Sequence, residues 1–106
     1  MSEHKANPLR GEVALRLGGT GYVLRPSFAA LARIEEAEGS LLALIERASS
    51  GAPRLGDIVT VLWACLDAGG AGLSRDDVGE LIAGDGVAAV TTAYRDILLA
   101  VLKGPA

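Results

Sequence analysis

Cysteine and histidine are nearly absent from this sequence, with one of each, and aromatic residues make up only 4% of it. A single Cys65 excludes an internal disulfide, and one Cys with one His falls short of the ligand set of a zinc site. His4, the sole imidazole, stands in a polar opening stretch where nothing would hold it near a nucleophile, so histidine-based catalysis is not expected. Cys65 sits between Ala64 and Leu66 in the most apolar segment, where burial raises a thiol pKa and blunts its reactivity; a packed small residue is expected. Long apolar runs are lacking as well. The stretch from Ile58 to Ala68 already contains Thr60 and Asp67 and is shorter than the roughly 20 residues that span a bilayer, so no membrane helix is expected. The opening MSEHKANPLRG has no apolar run of the kind a secretory signal needs, which makes a cytoplasmic protein the expectation. Positive charge is not in excess either. Lys and Arg number 10 against 13 Asp and Glu, a net charge of −3, and they are dispersed, so no face is offered to nucleic acid.

What is abundant is the small aliphatic side chain. Half of the residues are hydrophobic, so the core must be built from Ala, Leu, Val and Ile, which suits closely packed helices, and the length suits one core. Residues 1–9 read as a flexible tail and 10–106 as a single domain. In residues 12–17, EVALRL, Val13, Leu15 and Leu17 fall on one side of a strand and Glu12, Ala14 and Arg16 on the other. The tetrad Gly18-Gly19-Thr20-Gly21 predicts a turn, and residues 22–25 a second strand whose Tyr22 and Leu24 join the apolar face.

Helical signals follow. Pro26 ends the strand and Ser27 caps FAALARIEEAE, with Phe28, Leu31 and Ile34 at helical spacing and Gly39 at its end. Ser40 caps LLALIERAS, whose Leu41, Leu44, Ile45 and Ala48 share a face, before Ser50 to Pro53 break it. Between Leu55 and Ala68 apolar residues surround the helix, predicting burial on more than one side. Ser74 and Asp77 have the spacing of a capping box and open a short helix that ends before Gly84. A last helix over residues 87–103 has Val87, Val90, Tyr94, Ile97 and Val101 as its stripe. The fold class is therefore α+β and mostly helical: an N-terminal two-stranded antiparallel β-hairpin followed by four or five short helices.

Chemistry is sparse. The acids Glu35, Glu36 and Glu38, and Asp76, Asp77 and Glu80, could be taken for a metal or acid–base site. The first group reads as the solvated outer face of a short helix, and the second as a first turn favoured by the helix dipole. Gly19-Thr20-Gly21 is followed by a strand and no Gly-Lys-Ser or Gly-Lys-Thr occurs, so the glycines make a turn rather than a phosphate cradle. No catalytic constellation emerges, and neither enzyme activity nor a cofactor is expected. Two surfaces remain as candidates for binding. The last helix is more apolar than a terminal helix needs, which singles out Leu98, Leu99 and Leu102 on its outer flank. An isolated two-stranded ribbon is marginal, so the hairpin face with Val13 and Tyr22 must pack on the domain's own helices, or its edges must pair with another chain.

The run NPLRGEVALRLGGTGYVLRPSFAALARIEEAEGSLLALIERASSG, followed by RLGDIVTVLWACLDAGG, resembles the gene-transfer-agent family of small tail proteins, which are themselves similar to the tail assembly chaperones of tailed phages. The likeness covers Asn7 to about Gly69. Its most recognisable parts are Arg10-Gly11-Glu12, the junction Leu24-Arg25-Pro26-Ser27-Phe28, and the Leu-Ile-Glu-Arg segment. The resemblance implies a chaperone or tail-associated protein of a gene-transfer agent or prophage. Such a protein binds tape-measure and tail-tube proteins and accompanies an assembling particle in the cytoplasm. Two alternatives stay open: a structural tail subunit that forms a homo-oligomeric ring, and a non-viral helical protein-interaction module.

Overall fold

A computed structural model describes residues 6–104; His4 lies outside them. The period-two segment forms strand β1 (Val13–Leu17), antiparallel to β2 (Thr20–Leu24). The turn is tighter than the tetrad predicted, because Thr20 and Gly21 pair with Leu17 and Arg16 and leave only Gly18-Gly19 between the strands. Both glycines have positive φ, 60° and 82°, the backbone that lets a two-residue turn match the twist of its strands. Leu15, Leu17 and Leu24 are buried, while Val13 and Tyr22 are half-buried on the same face. Before β1, Pro8–Arg10 make a 3₁₀ turn capped by the Asn7 side chain, which accepts from the Leu9 N–H.

Five α-helices follow, each begun or ended by local chemistry. Helix α1 (Phe28–Glu38) is capped by Ser27 and α2 (Leu41–Ser49) by Ser40, each hydroxyl accepting the N–H three residues on. Helix α3 (Leu55–Ala68) is the axis of the domain and packs against α1, β2, α4 (Arg75–Asp85) and α5 (Thr91–Lys103). Its Val61, Leu62, Cys65 and Leu66 are fully enclosed. Helix α4 begins with the expected capping box: Ser74 Oγ accepts from the Asp77 N–H, and an Asp77 carboxylate oxygen accepts from the Ser74 N–H.

Two residues of the apolar stripes are not core. Phe28 is 86% exposed at the first position of α1, where the helix has no preceding turn for a side chain tilted toward the N-terminus to cover. Val87 is exposed because residues Val87–Val90 form a 3₁₀ turn with a different period, and α5 starts only at Thr91.

The hairpin face lies on α3, α4 and α5, which supplies the support a lone ribbon lacks. The turn is fastened by the Gly18 N–H to Asp85 Oδ2 at 2.8 Å. Counting back from the turn, Val23 points its N–H and C=O away from β1. The end of α3 meets that side: Gly69 lies against the Val23 carbonyl so closely that a Cβ there would collide with it, and the Arg25 N–H donates to the Cys65 carbonyl at 2.9 Å.

Candidate protein-binding groove

An apolar groove of ≈ 630 Å³ runs between α2 and α5. One wall carries Ile45 and Ala48 of α2 and continues into the loop at Gly51 and Pro53; the other carries Tyr94, Leu98, Leu99 and Leu102 of α5. Helical spacing puts Thr91, Tyr94, Leu98 and Leu102 on one side of α5, so a single helix face supplies a continuous apolar strip. Burial grades across it. Leu98 and Tyr94 are buried at 5% and 3% exposure, while Leu99 and Leu102 stand out at 42% and 54%.

The structure thus brings together three of the sequence-picked residues, Leu98, Leu99 and Leu102, with Leu98 joining the core and the other two open to solvent. Val13 and Tyr22 are elsewhere, packed against the core on the hairpin face. The sequence reading missed the opposite wall. Ile45 and Ala48 were legible as an α2 stripe, but only the tertiary arrangement shows that part of this stripe faces α5 across open space.

A polar cluster is centred on Asp57 of α3, which is 1% exposed. Arg47 on α2 donates from Nε to Asp57 Oδ2 at 3.0 Å, with Nη2 also 3.0 Å from that oxygen in an ion pair, and the Arg54 N–H donates to the same oxygen at 3.3 Å. Glu38 is half-buried at the end of α1, not on the outer face expected for it. It accepts from Thr60 Oγ1 at 3.0 Å, and Arg75 Nε donates to that hydroxyl at 2.9 Å. Its neighbour Glu35 is exposed and accepts from the Leu41 N–H, helping to start α2.

The two carboxyls divide their protonation. A side-chain hydrogen bond to Asp57 raises Glu38 above its ordinary 4.5, with burial acting in the same direction. Burial opposes ionisation of Asp57, but hydrogen bonds from Glu38, Arg47 and the Arg54 amide overcome it and hold the carboxyl below 3.8. The Tyr94 hydroxyl is buried without a partner among the described residues, as is Asp57 Oδ1. Burial, and after it the Asp57 charge, keep that phenol protonated well above its usual range. Cys65 is enclosed in α3, and burial pushes its thiol up to about 12. Among the described residues no group of three or more His, Cys, Asp or Glu is placed to hold a metal ion, and no helix is long and apolar enough to cross a membrane.

A family model described as "Phage tail tube protein, GTA-gp10" matches residues 10–104. No curated protein and no solved structure matches the chain.

Proposed function

Since this chain belongs to the GTA-gp10 phage tail tube protein family, we propose that it serves the building of a phage-like tail as an assembly chaperone, holding tape-measure or tail-tube protein soluble until the tube forms. The observation that carries this reading is the groove between α2 and α5. Scattered exposed leucines are ordinary on a soluble domain, but Leu99 and Leu102 border one continuous apolar channel with Ile45 and Ala48 on its far wall. A surface of that kind suits an apolar stripe of another helix, buried reversibly by a helix-in-groove contact. A long helical tape-measure protein displays such stripes before the tube encloses it.

The test is co-expression of this chain with the tube and tape-measure proteins of the same tail, read by solubility and co-elution in size-exclusion chromatography. Co-elution that disappears once tubes assemble is the expected result. Because Leu99 and Leu102 are 42% and 54% exposed, Leu99→Asp with Leu102→Asp is expected to abolish co-elution while the far-UV circular dichroism stays unchanged. A chain that ignores both proteins and forms its own ring would make it a structural tail subunit instead.

A further inference from the structure

The groove has an electrostatic bias as well as an apolar one. Arg95 is the one charged side chain in its lining, and no acid lines it. Most of the arginines elsewhere are engaged. Arg10 and Arg25 lie beside Glu12, Arg33 pairs with Asp67, and Arg47 with Asp57. Arg16 and Arg75 donate hydrogen bonds to the Gly19 carbonyl and Thr60. Among the described residues, the side chains of Arg95 and Arg54 take part in no ion pair, and both are exposed. Arg54 directly follows Pro53, which lines the groove. In a chain of net charge −3, the apolar channel is thus lined by one guanidinium that has no ion-pair partner among the described residues.

We propose that the groove takes an amphipathic helix of a partner protein, apolar over about three turns and carrying a carboxylate abreast of Arg95. The length follows from α5, on which the lining runs from Thr91 to Leu102, roughly 16 Å at 1.5 Å per residue. The acid follows from charge complementarity: a carboxylate gives Arg95 the partner it lacks, and the planar guanidinium suits two-point contact with it. A second copy of this chain fits less well, since a two-fold contact of groove with groove would set Arg95 near its own counterpart. This inference rests on the reading of the groove as the partner site and adds which helices it accepts.

The experiment uses the full chain and two fluorescein-labelled synthetic helical peptides. They share the same Leu and Ala stripe over three turns, flanked by Glu in one and by Lys in the other. Fluorescence anisotropy is expected to show the Glu peptide binding at least about threefold more tightly at low salt, the scale of an exposed ion pair, with the gap closing as salt rises. Arg95→Glu is expected to reverse the preference, and Leu102→Asp to weaken both peptides. Equal affinities, failure of both peptides, or binding indifferent to Leu102→Asp would overturn the proposal. So would self-association in sedimentation velocity that Leu102→Asp removes, which would make a second copy the occupant. Failure here beside retained co-elution with a tail protein leaves the tail-assembly reading standing; peptide binding without co-elution does the opposite.

Discussion

The Arg47–Asp57 pair ties α2, one wall of the groove, to the central helix, so removing it tests how that wall is held. Arg47→Met preserves much of the apolar stem and strips Asp57 of both guanidinium contacts at 3.0 Å, leaving the Arg54 amide at 3.3 Å as a donor. Breaking a fully buried pair from one side costs about 3–5 kcal/mol. Here Asp57 is 1% exposed but Arg47 is 30% exposed. Solvent screening and the remaining donor bring the expected loss to about 2 kcal/mol. For a domain of this size that lowers Tm by roughly 8–16 °C. The loss also has a pH signature. Asp57 is held below 3.8 in the fold, so the stability it contributes is present above that value and is lost as pH falls through its lowered folded pKa. Without Arg47, one of the groups that lower it is gone and the carboxyl pKa climbs. The deficit of the variant is therefore full near pH 7 and shrinks toward about pH 4, where the carboxyl takes up a proton. Urea denaturation followed by circular dichroism at both pH values measures it. A loss below about 0.5 kcal/mol, within the range of ordinary surface substitutions, or an equal loss at both pH values, would refute the assignment of the pair as the charged tether.

Other consequences are as direct. Gly69→Ala is expected to cost about 1–3 kcal/mol, because the added Cβ would meet the Val23 carbonyl and the Leu66 carbonyl oxygen, and backbone cannot swing aside as a side chain does; a thermal melt within about 2 °C of the parent would contradict this. Glu38→Gln imitates the protonated acid. Since Glu38 is raised above 4.5, its stabilising contribution is present below that value and lost as pH rises through its folded pKa, so the variant is expected to match or exceed the parent at neutral pH and to flatten the pH dependence of urea midpoints. Cys65, enclosed and with its thiol near 12, is expected to react with Ellman's reagent only as fast as the domain unfolds; rapid labelling of the native protein would place it at the surface instead.

Much of the fold was legible because its signals are local. The alternation in residues 13–17, the paired glycines at 18 and 19, and the serines at 27, 40 and 74 each act within a few residues of themselves. Phe28 shows where such reading stops: its spacing matched Leu31 and Ile34, but at the first position of α1 it stays exposed, whereas Leu41, first in α2, packs against the core. The groove was half legible. Surplus apolar character pointed to Leu98, Leu99 and Leu102, while the gap across from them depends on how α2 is held away from α5, which no short stretch encodes. The charged brace was missed for the same reason, since Glu38, Arg47, Asp57 and Arg75 come from four helices. One signal was available: an acid at position 57 inside a helix apolar on all sides has to find a donor.

The close fit of Gly69 and Cys65 against the outer side of β2 also makes the two edges of the hairpin unequal toward any added strand. Ala14 and Arg16 on β1 are exposed, whereas on β2 the Val23 carbonyl is crowded by Gly69 and the Arg25 N–H is bonded to the Cys65 carbonyl. Growth from strand to strand, head to tail, requires a donor edge and a different acceptor edge on every subunit. A strand added along β2 therefore has to displace the end of α3 from Val23 and Arg25, whereas one added along β1 does not meet that contact.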